Sequence, residues 1–238
     1  MKNNLYISFK NLIRNYRFHL SGAQTKLYHI ESDSSYITRI RDKGFCEIED
    51  YHQKNKYADN LLNHFEHIKN KINFKDLIKN KHQNKTKEDY RIYITKFFDE
   101  KILKEFVYSD QLNKFAKSYF KRKAKVISYD IWLDTPSNNI AKSTQIYHRD
   151  GDSFFLLKAF YYLSDVNLDN GPFQYMEKSH YNANELSKDY LLRFGSKSLK
   201  NCVGNKGTLI LADTNGYHKG LKLKKNYRVM LNIMFKNK

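Results

Sequence analysis

In the segment "YADNLLNHFEHIKNKINFKDLIKN", apolar side chains recur at Leu61, Leu62, Phe65, Ile68 and Ile72, with polar or charged residues between most of them. That spacing gathers them on one stripe of an α-helix. "KEDYRIYITKFFDEKILKEFVYS" and "DQLNKFAKSYFKRKAKV" read the same way, so the chain is expected to be mostly helical up to about residue 120. One early exception is "RDKGFCEIEDY", where Phe45, Glu47 and Glu49 alternate with Cys46 and Ile48 behind Gly44 and predict a strand of the same fold.

Beyond that point the period changes to two. "KVISYDIWLDT", "SFFLLKAFYYLSDV", "GTLILADT" and "YRVMLNIMF" have the length of strands and are separated by turn residues. In the last run, Arg228, Met230, Asn232 and Met234 share one face, and Val229, Leu231, Ile233 and Phe235 share the other. One face is wholly apolar and the other carries a candidate buried charge. The run at 153–166 is apolar on both faces, which predicts a strand covered on both sides, with the helices of the first half as natural cover. With 2 Pro and 9 Gly there is no obvious linker and no internal repeat. A single domain over 1–238 is expected, with a mostly helical part at 1–120 and a β core at 121–238.

Hydrophobic residues at 40% and aromatics at 15% supply a sizeable core and exclude a disordered chain. The net charge of +18, from 43 Lys and Arg against 25 Asp and Glu, favours anionic ligands. The cations are dispersed among asparagines, and neither a zinc-finger spacing nor an aromatic ribonucleoprotein motif accompanies them, which argues against nucleic acid. Cys46 and Cys202 match no disulfide or zinc pattern, so reduced thiols in a cytoplasmic compartment are expected. "MKNNLYISFKNLIRNYRFHL" is interrupted by Asn, Lys and Arg before the apolar run of a signal peptide could form. No stretch approaches the roughly 20 apolar residues of a membrane span.

Three pairs place a histidine two residues from a carboxylate. His64 and Glu66 fall on a predicted helix, where such residues point in different directions. His64 with His67 has chelating spacing but no third ligand nearby, and reads as a solvated helix face. His29 and Glu31 sit in a polar stretch without a later partner. His148 and Asp150, in "QIYHRDGDS", lie between strand-like runs, where extended backbone directs both to one side. His218 follows the strand "GTLILADT" and a turn, and supplies a third donor. Two histidines and a carboxylate form the facial set of non-haem Fe(II), which leaves three coordination positions open.

Arg228 stands ten residues beyond His218, and a turn at "KKN" is expected to fold the two segments into a hairpin that returns the guanidinium to the metal end. The planar fork of arginine suits a buried carboxylate. A molecule of 2-oxoglutarate fits that arrangement, chelating iron through its 1-carboxylate and 2-oxo group and reaching Arg228 with its 5-carboxylate. Lys158 shares a face with Leu156, Phe160 and Tyr162 and is a second candidate contact for 2-oxoglutarate or an acidic substrate group. The alternative is a lysine whose head reaches out past the strand edge. Trp132, Gln145 and Tyr147 are candidate pocket residues, His180 reads as a structural loop residue, and Asp213 and Asn215 as turn formers.

The string "IYHRDGDSFFLLKAFYYLSDVNLDNGPFQYMEKSH" followed by "GNKGTLILADTNGYHKGLKLKKNYRVMLNIMF" resembles the phytanoyl-CoA dioxygenase-like family of Fe(II)/2-oxoglutarate-dependent oxygenases. The matching elements are His148-x-Asp150, "YLSDV", "NGPF", Ser179-His180, "GTLILAD", His218 and Arg228, and with "DKGFCEIEDY" the likeness spans roughly residues 40 to 235. The resemblance implies a double-stranded β-helix, the cupin-like jelly roll, with iron at the mouth of the barrel and helices packed outside. It implies Fe(II) held by His148, Asp150 and His218, with 2-oxoglutarate as co-substrate anchored by Arg228. It further implies a dioxygenase that uses dioxygen to hydroxylate a small molecule and releases succinate and carbon dioxide. Two departures stand out: "MEKSH" replaces a Pro-Gly found before Ser-His in many members, and Gly220 offers no side-chain donor two residues after the distal histidine. Related halogenases replace the carboxylate by a small residue, so Asp150 favours hydroxylation over halogenation, while desaturation or epoxidation would use the same ligands. A different class remains open, a non-catalytic jelly-roll module for a polyanion such as nucleic acid or a phosphorylated glycan. Such a scaffold would need none of the four residues, and a cupin-like isomerase would have no use for Arg228.

Overall fold

The computed structural model describes residues 34–80, 89–150, 156–181 and 187–237; His29 and Glu31 lie outside them. The helical stripe of the first half forms as expected. α1 (Ser34–Lys43), α2 (Tyr51–Lys54), α3 (Lys56–Ile68), α4 (Phe74–Lys79), α5 (Glu100–Val107) and α6 (Asp110–Phe120) are each short, and side chains cap several of them. Asn55 accepts from the backbone N–H groups of Tyr57 and Ala58 at the start of α3, and Asp99 accepts from that of Ile102 in α5. Such caps satisfy donors that the first helical turn leaves without partners.

The first strand, β1 (Phe45–Ile48), confirms the alternation around Cys46. Gly44 makes the corner between α1 and β1 with φ +95°, its N–H bonded to the Ile40 carbonyl at 2.8 Å. A Cβ there would stand 2.3 Å from the Tyr175 hydroxyl, so conformation and space both select glycine.

The helical reading of "KEDYRIYITKFFDEKILKEFVYS" needs correction. Arg91–Tyr93 is a strand, β2, and the helix begins only at Glu100. β2 pairs with the edge of β3 (Ala124–Asp134), and Ile92 turns to the helix-side core while Arg91 is buried on the opposite face. Three residues are too few for the period to separate strand from helix, and pairing at a sheet edge decided the outcome.

The remaining strands are β4 (Leu156–Tyr162), β5 (Phe173–Met176), β6 (Leu199–Cys202), β7 (Leu209–Ala212), β8 (His218–Gly220) and β9 (Arg228–Asn237), with α7 (Ser187–Phe194) between β5 and β6. Six form a sheet in the order β1-β7-β4-β9-β3-β2, and three form a second in the order β6-β5-β8. Every strand pairing within them is antiparallel.

The large sheet has a core on each face. On one, Leu157, Tyr161, Leu211, Leu231 and Ile233 pack with Leu61, Phe65, Phe106 and Phe115 of the helices. On the other, Phe160, Tyr162, Ile210 and Met230 pack with Phe173, Tyr175 and Cys202 of the small sheet. All seven residues of β4 are buried, as its unbroken apolar pattern predicted. Ring contacts tie the layers: Phe106 to Tyr161 at 4.8 Å between centroids, and Phe160 to Phe173 also at 4.8 Å. Each such buried ring contributes about 1.5–3 kcal/mol of apolar burial. Cys46 and Cys202 are buried and unbridged, and among the described residues no helix is long and apolar enough to cross a membrane.

The expected hairpin between His218 and Arg228 does not form. β8 pairs with β5 in the small sheet, whereas β9 pairs with β3 and β4 in the large one, so residues 221–227 cross between sheets. The crossing bends at Asn226, with φ 57°, and the Leu221 N–H bonds to the Pro172 carbonyl at 2.9 Å. The first six residues of β9 are all buried between β3 and β4 in the large sheet, and that burial overrides the local hairpin.

Candidate functional site

The two histidines meet through their backbones. His148 and His218 form an isolated antiparallel bridge, each N–H donating to the other's carbonyl at 3.0 Å. Residues directly opposed in this way project side chains to the same side, and the two imidazole centroids lie 4.3 Å apart. Each ring is then held through Nδ1 by the carbonyl two residues before it. The Nδ1 of His148 lies 2.8 Å from the Ile146 carbonyl, and that of His218 lies 2.9 Å from the Gly216 carbonyl. A carbonyl only accepts, so both Nδ1 atoms carry the proton and both Nε2 atoms present a lone pair.

Both Nε2 atoms face Asp150. That of His148 is 3.9 Å from one carboxylate oxygen and that of His218 is 3.8 Å from the other. The backbone N–H of Asp150 bonds to the Thr214 carbonyl at 2.9 Å, which fixes the position of the carboxylate relative to the β7–β8 turn. One ligand atom from each of the three residues lies within 4.8 Å of the others, a set that could hold a metal ion. Side-chain exposure falls from 29% at His148 to 4% at His218, so one edge of the set is open and the other sealed.

Burial pushes the His218 imidazole well below its usual value, with Asp150 opposing, which keeps the ring neutral and able to donate. For Asp150, burial works against ionisation, and the interactions with His218, the Lys158 ammonium and Thr214 outweigh it and hold the carboxyl below its ordinary range. The Lys158 ammonium lies 2.8 Å from Asp150 Oδ2. The lysine expected on the pocket face of β4 is therefore buried there, held by a carboxylate of the His-Asp-His set.

A second charged group lies across the same cavity. Arg228, at the start of β9, is 2% exposed and donates through Nη2 to Asp134 and through Nη1 to the Gly171 carbonyl. Asp134 also accepts from Arg91, Nε to Oδ1 at 2.8 Å and Nη2 to Oδ2 at 3.1 Å. Burial opposes ionisation of Asp134, and the two guanidiniums outweigh it and hold the carboxyl below the ordinary range. The Arg91 guanidinium stacks 3.7 Å over the Trp132 ring. Arg91, Trp132, His148, Lys158, His218 and Arg228 line one cavity between the sheets, with Phe160, Phe173 and Met230 as apolar wall. Gly220 lies beside it, where a Cβ would be 3.5 Å from Arg228 Nη2.

The other candidates separate. Trp132 lines the cavity, whereas the Tyr147 hydroxyl donates to Gln174 and its ring carries the Lys219 ammonium at 4.1 Å. Gln145 is buried in a short 3-10 turn, Ser143–Gln145. His180 is fully buried with Nε2 2.9 Å from the Arg41 carbonyl, a structural role as expected. Asp213 Oδ1 accepts from the backbone and side chain of Asn215, both at 3.0 Å, closing the turn before His218. His64 accepts from the Asp99 N–H at 3.0 Å, and His67 lies 2.9 Å from the Lys71 ammonium, so neither joins a ligand set.

Sequence reading missed Arg91, Asp134 and Thr144 of this region. Arg91 was hidden in a segment read as helix. For Asp134 a signal existed, because Asp130, Trp132 and Asp134 share the face of β3 that meets Arg228 and Met230 of β9. Thr144 lines the cavity with its hydroxyl 2.8 Å from that of Tyr90, in a loop that no periodicity marks.

No family model matches the chain, and no curated protein matches it. Solved structures do. AviO1 from Streptomyces viridochromogenes Tue57 superposes with a TM-score of 0.58 over 88% of this chain and 97% of its own, at 13% identity. The epimerase SnoN from nogalamycin biosynthesis, in complex with Fe3+, alpha ketoglutarate and nogalamycin RO, gives a TM-score of 0.59 over 87% and 84% at 10% identity. HygX from Streptomyces hygroscopicus, with nickel and 2-oxoglutarate bound, gives 0.56 over 85% and 86% at 12% identity. The chain therefore has the fold found in non-haem, 2-oxoglutarate-dependent enzymes.

Proposed function

We propose that this chain is a single-domain Fe(II)- and 2-oxoglutarate-dependent dioxygenase of the phytanoyl-CoA dioxygenase-like kind, hydroxylating a small molecule. The two sheets are then the two walls of a double-stranded β-helix. The observation that carries the reading is the reciprocal backbone bridge between His148 and His218, which turns both Nε2 atoms toward Asp150.

The residues fit the group they would hold. Two imidazoles with lone pairs outward and one ionised carboxylate make the donor set that suits a non-haem iron, and backbone carbonyls behind both rings fix them as ligands require. Across the cavity, Arg91 and Arg228 both donate to the carboxylate of Asp134, so that wall carries guanidinium charge. A dicarboxylate spanning from the ligand set to Arg228 meets that charge.

Iron held there would supply oxidative decarboxylation of 2-oxoglutarate by dioxygen, one oxygen atom going to succinate and the other to a substrate C–H bond, with release of carbon dioxide. The chain's own side chains bind, orient and exclude. His148, Asp150 and His218 would hold the ion at the cavity wall. Arg228 takes the 5-carboxylate, and Phe160, Phe173 and Met230 keep water from the reacting centre. The Asp150 carboxylate would hold the ion where related halogenases have a small residue, which favours hydroxylation over halogenation. SnoN is an epimerase on this fold, so the fold alone does not fix the reaction.

Anaerobic titration with Fe(II) and 2-oxoglutarate tests the reading. A visible charge-transfer band is expected, followed by succinate release on admitting dioxygen with a metabolite pool. A folded protein that shows neither band nor succinate would leave the polyanion-binding alternative ahead.

A further inference from the structure

Asp130 is a carboxylate without a cation in a chain of net charge +18. It is half-buried on β3, burial pushes its carboxyl above the ordinary range, and among the described residues no hydrogen bond or ion pair reaches it. Lys158, on the same face of the sheet, is held instead by Asp150 at 2.8 Å. Directly opposite Asp130 on β9 stands Asn232, 4% exposed, whose Oδ1 is buried without a donor. Buried polar atoms are nearly always paired, so an orphaned acceptor beside an unmatched charge marks a place that a ligand completes. The register sets the pair among the residues of the cavity wall. Alternation turns Asp130 to the face of Trp132, and Asn232 to that of Met230 and Arg228, all three of which line the cavity. Asn232 also opposes Phe160 of β4, another lining residue. The pair therefore occupies the rung between Trp132 and Met230 on one side and Lys158, which reaches Asp150, on the other.

We propose that Asp130 and Asn232 form the subsite for a protonated amine of the substrate, so that the small molecule oxidised at this site is an alkylamine and not an anion. This rests on the function proposed above and names its substrate class. An ionised carboxylate and an amide oxygen only accept hydrogen bonds. An alkylammonium brings three N–H donors together with the charge that the carboxylate lacks. An anion would be repelled, and a hydroxyl would supply a donor but leave the half-buried charge uncompensated. Phe160 and Met230, beside the pair, offer apolar contact to the carbon chain behind the amine. Net charge and local chemistry point in opposite directions here. The +18 field draws anions to the surface as a whole, whereas recognition inside a cavity is set by the groups within reach.

Hexylammonium, hexanol and hexanoate share one apolar chain and differ in charge, which makes them a matched set of probes. With Mn(II) and saturating 2-oxoglutarate present, paramagnetic relaxation of the probe protons reads binding near the metal without turnover. In the wild type hexylammonium is expected to bind about tenfold more tightly than hexanol, with hexanoate weakest, against the order that net charge alone would give. Asp130→Asn should remove that preference, and Asp130→Lys should reverse it in favour of hexanoate. Asn232→Leu should weaken hexylammonium several-fold and keep the order. Circular dichroism establishes that each variant is folded. Hexylammonium bound no better than hexanol by the wild type, or neither probe relaxed, overturns the inference whether or not the variants fold. So does an ammonium preference that survives in folded Asp130→Asn. His148→Ala separates the two proposals: probe relaxation as strong in this variant as in the wild type removes the metal site itself, and both readings fall. Relaxation that His148→Ala abolishes, with no ammonium preference in the wild type, removes only the amine subsite.

Discussion

Asp134 stands directly opposite Arg228 in the β3–β9 ladder, and its carboxylate serves that guanidinium and Arg91 at once. All three side chains are nearly or fully buried, so the carboxylate is the counter-ion for two cations that water does not reach. Removing one member of a buried ionic group costs about 3–5 kcal/mol, because the remaining charges stay uncompensated. Asp134→Asn is expected to lower stability by that order in urea denaturation. A loss below about 1 kcal/mol would mean that solvent screens the group.

The same carboxylate sets an acid limit. Arg91 and Arg228 hold it below its ordinary value against the effect of burial, so protons bind the unfolded chain first. Its contribution is therefore complete above the unfolded value, near about pH 4, and is lost as pH falls through the lower folded value. Urea midpoints between neutrality and acid should fall more steeply for the wild type than for Asp134→Asn. Parallel curves would place the acid sensitivity in other carboxylates.

The histidines separate by location. His148→Ala should abolish metal binding, and Asp150→Ala should abolish succinate formation. His64→Ala should leave both intact and cost about 1 kcal/mol, the worth of its bond from the Asp99 N–H. Full turnover by Asp150→Ala would remove that residue from the site.

Two glycines with positive φ provide a matched contrast. Gly44 has φ +95° and the Tyr175 hydroxyl 2.3 Å from a would-be Cβ, while Gly195 has φ +68° and nothing within 4 Å. Gly195, with ψ −178°, lies in a region that essentially only glycine adopts, so Gly195→Ala should cost about 1–3 kcal/mol from conformation alone. Gly44→Ala adds overpacking of about 1–3 kcal/mol and should displace Tyr175 from its bond to the Asp213 carbonyl. Equal thermal shifts for the two would show that Tyr175 yields without cost.

Long periodic segments were legible because burial leaves its period in the chain. The stripe through Leu61 and Phe65 became α3, the alternation from Arg228 onward became β9, and the doubly apolar run became the buried β4. Short strands such as β2, β5, β6 and β8 carry three or four residues each, too few to show a period, and they exist because a neighbour offers an edge.

The amino-acid order by itself marked His148 and Asp150 as a pair, since extended backbone two residues apart faces one way, and singled out His218 and Arg228 as candidates to join them. Tertiary structure decided how they meet. A backbone bridge joins the histidines, a crossing between sheets in place of a hairpin delivers Arg228, and Arg91, Asp134 and Lys158 complete the charges around the cavity. The reason is physical: pattern along a chain reports which side chains are buried, whereas the partner of a buried charge is fixed only when distant strands come to lie side by side.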